Sequence, residues 1–104
     1  MEILPDDKFM ETSREIINQL GFKDIKAFIK NQALMMLLAK LDKYESEERF
    51  FERKYGMSFE EFQKRVQELK NDENFEEDDD YLDWRFAKEA LNDLIKKKQE
   101  LEYA

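Results

Sequence analysis

The chain has 104 residues, a net charge of −8, and neither cysteine nor histidine. Those absences exclude disulfides, thiolate zinc sites and any nucleophile–base pair built on Cys or His. The length suits one domain with a real core, and nine Phe, four Tyr and one Trp supply apolar bulk for it.

Residues 1–4, Met-Glu-Ile-Leu, read as a very short strand or an extended arm that Pro5 ends. The first residues are acidic and lack an apolar signal-peptide core, so a cytoplasmic protein is expected. Asp6 or Asp7 caps a first helix whose apolar face is Phe9, Met10, Ile16, Ile17 and Leu20. Gly21 supplies a left-handed residue after it, with Phe22 folding back.

A long helix is predicted over 24–55, with Asp24 as its cap. At 1.5 Å per residue it measures about 45 Å. The stretch has no Gly or Pro and is rich in Ala, Leu, Met, Lys and Glu, which lose little side-chain freedom in a helix. Leu37, Leu41, Tyr44, Phe51 and Tyr55 share one face. Between Ala33 and Ala39 every residue is apolar. Seven residues are too few for a bilayer, which needs about 20. The segment must be covered on several sides, so a homodimer through Ala33, Leu34, Leu37, Leu38 and Leu41 is expected.

Gly56 ends that helix. Ser58-Phe59-Glu60-Glu61 is a capping box, with Met57 and Phe62 as its hydrophobic staple. The helix it opens repeats Phe59, Phe62, Val66 and Leu69. Residues 72–80 then carry seven acids and no cation, nearly all of the net charge. A last helix is predicted from Tyr81, capped by Asp79 or Asp80. Trp84, Ala87, Leu91, Leu94 and Leu101 form its stripe, widened by Leu82, Phe86 and Ala90. The predicted fold is therefore all-α, with about four helices packed along the long second one. It forms a single domain, 1–104: a helical hairpin core (1–57), a short helix (58–71), an acidic linker (72–80) and a C-terminal helix (81–104).

No catalytic constellation emerges, and no cofactor is expected. The acidic run lacks the glycine and closing glutamate of an EF-hand loop, so no metal is expected either. The run has two readings. In one it is a solvated linker anchoring a helix start. In the other, Phe75, Asp78, Asp79, Asp80, Tyr81 and Trp84 bind a small basic partner, charge steering the encounter and the aromatics anchoring it. Trp84 also lies on the stripe of the last helix, which fits plain core. The cations Lys23, Lys26, Lys30, Lys40 and Lys43 are interleaved with acids and read as a solvated face.

Ile3-Leu4-Pro5-Asp6-Asp7 resembles the strand-to-helix junction of ribbon-helix-helix proteins, and Leu20 to Ile29 resembles their turn and second helix. Ala33, Leu34, Leu37 and Leu38 fall where that family packs its dimer core. The resemblance covers residues 3–42 and implies a dimer. Such proteins are often the antitoxin half of prokaryotic toxin–antitoxin pairs, so it also implies a toxin as the basic partner. The family reads DNA with a strand of alternating polar and basic residues. Here only Met1 to Leu4 precede the proline, and Glu2 would face phosphates badly. The expected function is a non-enzymatic, antitoxin-like protein-binding module. The alternatives are a ribbon-helix-helix DNA-binding regulator and a helical adaptor.

Overall fold

A computed structural model describes residues 5–68 and 74–104. It contains four helices, α1 (Pro5–Gln19), α2 (Ile25–Tyr55), α3 (Phe59–Glu68) and α4 (Phe75–Glu102), with no strand among the described residues. The expected N-terminal strand or arm, and Leu69, lie outside those residues.

The helix ends follow from local chemistry. α1 begins at Pro5, so Asp6 and Asp7 occupy its first turn and are not its caps. Proline tolerates the first helical position because its missing N–H would be unpaired there. The two acids favour the positive end of the helix dipole. At the other end Phe22 N–H donates to Ile17 C=O (3.1 Å) and Gly21 N–H to Asn18 C=O (3.0 Å). These two bonds make a Schellman motif, with Gly21 at φ 92°. Asp24 caps α2 by accepting from Ala27 N–H at 2.8 Å. Gly56, at φ 64°, closes α2 through a bond from its N–H to Glu52 C=O at 2.7 Å. Ser58 caps α3 by accepting from Glu61 N–H at 3.2 Å.

The start of α4 differs from expectation. Residues 75–80 are helix, not linker, and Asn74 caps them by accepting from Glu77 N–H at 3.2 Å. Asp79 and Asp80 therefore lie one turn inside α4. Acids in the first turns of a helix meet its positive end, which makes this run a helix start as readily as a linker.

Two compact units divide the chain within α2, Met1–Met36 and Leu37–Ala104. In the first, only Ile17 is buried among the described residues, and Phe22 meets Phe28 edge-on at 5.4 Å. Phe9, Met10, Ile16 and Leu20, expected as an inner face of α1, are exposed.

The second unit holds the larger core. Phe51, Phe59, Phe62 and Trp84 are buried together, with Tyr55, Met57, Val66 and Tyr81 against them. Leu41, Ala87 and Leu91 are buried as well. The spacing of Leu41, Phe51 and Tyr55 on α2 and of Trp84, Ala87 and Leu91 on α4 sets these inner faces, as the sequence predicts. Met57 packs against the cluster that includes Phe62, the residue a hydrophobic staple would pair it with.

Candidate functional site

The fully buried Trp84 lies at the centre of the second unit. Its ring stacks on Phe51 (5.6 Å, 19°) and Phe62 (5.4 Å, 30°), with Tyr55 at 6.4 Å and Phe59 at 5.6 Å. Phe51 and Tyr55 come from α2, Phe59 and Phe62 from α3, so one indole joins three helices. Aromatic pairs of this kind contribute about 0.5–1.5 kcal/mol each beyond the area they bury. The expectation that Trp84 anchors a partner is thereby corrected, because the folded chain leaves none of its surface free. Tyr81 is half-buried, stacked on Phe59 at 5.8 Å, and its hydroxyl accepts from Gln63 Nε2 at 3.0 Å.

The inward acids of the run are likewise engaged. Lys54 Nζ donates to Asp80 Oδ2 at 2.6 Å and to Glu76 Oε1 at 2.7 Å, and the Tyr55 hydroxyl donates to the same Asp80 oxygen. Arg65 pairs with Glu77 at 2.7 Å. Burial opposes the ionisation of Asp80, but the hydrogen bonds from Lys54 and Tyr55 outweigh it and hold the carboxyl below its usual range. Burial, then the Asp80 hydrogen bond, pushes the Tyr55 phenol up to about 12. The hydrogen bonds to Asp80 and Glu76 hold the Lys54 ammonium well above its usual range. This knot ties α4 to the end of α2 and leaves the Asp80 side chain only 16% exposed.

The outward side of α4 has a different character. Phe75 is 75% exposed, Leu82 58% and Phe86 62%. With Asp79 they step by +4, +3 and +4, so they share one stripe of the helix. Asp78 and Asp83 flank that stripe; they and Asp79 are exposed, and their carboxylates have no hydrogen bond or ion pair among the described residues. A cavity of about 550 Å³ adjoins it between α2 and α4, lined by Lys43, Tyr44, Glu47, Phe50, Asp83 and Phe86. Tyr44 meets Phe86 edge-on at 6.0 Å across this gap, and Phe50 is 53% exposed.

Of the six residues expected to bind a partner, Phe75, Asp78 and Asp79 lie together on the outward side. Asp80, Tyr81 and Trp84 face the core. Leu82, Phe86 and Phe50 were not among the predicted site residues, because Leu82 and Phe86 read as a widened core stripe. Had the helix been run back through 75–80, its periodicity would have joined Phe75, Leu82 and Phe86. Of the residues expected at a dimer interface, Ala33, Leu34 and Leu37 are half-buried and Leu38 is exposed. Leu41 is buried by its own chain and has little surface to offer a second copy.

Among the described residues, no three acidic side chains converge so as to hold a metal ion, and no helix is long and apolar enough to cross a membrane. No protein-family model, curated protein or solved structure matches the chain.

Proposed function

We propose that this chain is a non-enzymatic, cytoplasmic protein-binding module, an antitoxin-like component that masks a small basic partner. The outward stripe of α4 carries the reading: Phe75, Leu82 and Phe86 stand exposed beside the unpaired carboxylates of Asp78, Asp79 and Asp83. Exposed apolar side chains gathered on one face mark interaction surfaces. Carboxylates beside them select a cationic partner and speed its approach. The test is a tagged pull-down from native lysate with mass spectrometry of the eluate. A single small, basic, stoichiometric protein is expected, and Phe75→Ala with Asp78→Asn and Asp79→Asn should lose it while helicity is kept. Equal recovery by the triple variant would remove these residues from the site.

The same reading includes self-association through the apolar stretch of α2, supported by the exposure of Met35, Met36 and Leu38. Light scattering at tens of micromolar should give twice the monomer mass, and a monomer there would end it.

A second reading, a ribbon-helix-helix regulator that binds DNA, has one observation in its favour. Arg14, Lys23 and Lys26 line a cavity of about 410 Å³ in the first unit and have no ion pair among the described residues. It requires strongly salt-dependent binding to the chain's own promoter. No shift at low salt would dismiss it.

A further inference from the structure

We propose that the groove between α2 and α4 is the seat of a basic amphipathic helix of the partner. One of its apolar side chains enters between Phe50 and Phe86, and its cations meet Glu47, Asp83 and Asp79. The inference rests on the protein-binding reading above and gives the partner a chemistry and a pose.

A cavity of about 550 Å³ falls within the range of about 300–1,000 Å³ typical of formed binding pockets, and is ample for one or two side chains. Its aromatic walls, Tyr44, Phe50 and Phe86, come from two helices whose mutual position the Trp84 core fixes, so the groove exists before anything binds. A pre-formed groove spares the partner the cost of ordering the site. Phe50 and Phe86 keep more than half their surface in water although a covered position lies one residue away in each helix, at Phe51 and Ala87. A helix laid along α4 would cover Phe86 and Leu82 in successive turns and reach Phe75, since exposed residues four and seven apart form a continuous ridge.

Charge selects the sign of that helix. Glu47 and Asp83 line the groove, and Asp78 and Asp79 continue the negative edge toward the start of α4. The one cation in the lining, Lys43, is held over the Tyr44 ring at 5.4 Å from its centroid. A second copy of this chain is disfavoured on the same face, because two such edges would bring like charges together.

The test uses the full chain and a fluorescein-labelled 18-residue peptide of Leu and Lys with helical periodicity. Its controls replace every Lys by Glu, or every Leu by Ala. Fluorescence anisotropy is read across a salt series. The Leu/Lys peptide should bind, more weakly as salt rises, and neither control should match it. Phe50→Ser with Phe86→Ser should weaken binding about tenfold or more. Both side chains are solvent-facing, so circular dichroism should match the parent. Phe86→Leu, which keeps an apolar wall, should restore much of the affinity to a Phe86→Ser chain. Full affinity in the double variant, together with loss in Asp78→Asn/Asp79→Asn, overturns the groove and leaves the outward stripe as the binding surface. No binding of the Leu/Lys peptide at all overturns both. A change of oligomeric mass in the double variant, with peptide affinity intact, would assign the groove to a second copy and overturn the proposal.

Discussion

Truncating Trp84 removes a ring that stacks on residues of both α2 and α3. Trp84→Ala should cost about 3–5 kcal/mol, as expected for a fully buried aromatic. That is a large part of the about 5–15 kcal/mol that holds a typical domain together. Urea denaturation followed by circular dichroism measures it, and a loss below about 1 kcal/mol would mean that the ring is not the hub. The Lys54–Tyr55–Asp80 knot makes a separate prediction, in pH. The Asp80 carboxyl titrates lower in the folded chain than its unfolded value of 3.8. Its stabilisation is therefore full above that value and is lost as pH falls through the folded one. Tyr55 moves from 10.0 up to about 12, and Lys54 moves up from 10.5. Their contribution is full below pH 10 and is lost as pH rises past their folded values. Stability should fall on both flanks; Asp80→Asn should remove the acid flank and only reduce the alkaline one, because burial of Tyr55 and the Glu76 bond to Lys54 remain. Phenolate absorbance should also show the late ionisation of Tyr55. If that late step persists in Tyr55→Phe, the assignment is wrong.

At the level of elements, the helix boundaries were the most legible part of the sequence. Gly21, Asp24, Gly56 and Ser58 each act where their side chain or lack of one requires, since a left-handed residue or a free backbone N–H leaves few alternatives. Ser58→Ala should accordingly lower stability by about 1 kcal/mol through the lost bond to Glu61 N–H, and Ser58→Asp should lose little. A thermal midpoint unchanged in the alanine variant would show the cap to be idle. The start of α4 was less legible, because a dense acidic run has the composition of a linker, whereas Asn74 is a single inconspicuous residue. The position of this boundary also decides which residues share a face at the site. Phe75 and Trp84 are nine residues apart, and nine steps of about 100° put them on opposite sides of a helix. Read as linker and helix, they fell into one binding group, although one is exposed and the other is core. The engagement of Asp80 by Lys54 and Tyr55 spans more than twenty residues and had no local signal.

For the whole molecule, the uneven core is the dominant fact. Eight hydrophobic residues are fully or nearly fully buried among the described residues, and only Ile17 of them belongs to the first unit. Amide hydrogen exchange should therefore be slowest in the second half of α2 and the middle of α4, and markedly faster throughout α1, which opens at lower free-energy cost. Equal protection in α1 would point to a partner or second copy covering its exposed Phe9, Ile16 and Leu20. The indole at the centre of the second unit has one more consequence. Trp84 is the sole tryptophan, and its Nε1–H finds no hydrogen-bond partner among the described residues. Indole emission shifts to the red when water or a hydrogen-bond acceptor relaxes around the excited ring. In the native chain it should be blue, and it should redden only when the aromatic cluster itself comes apart. The molecule thus carries an optical reporter for one of its two units that is silent about the other. Unfolding followed by fluorescence and by helicity should part company wherever the first unit melts alone.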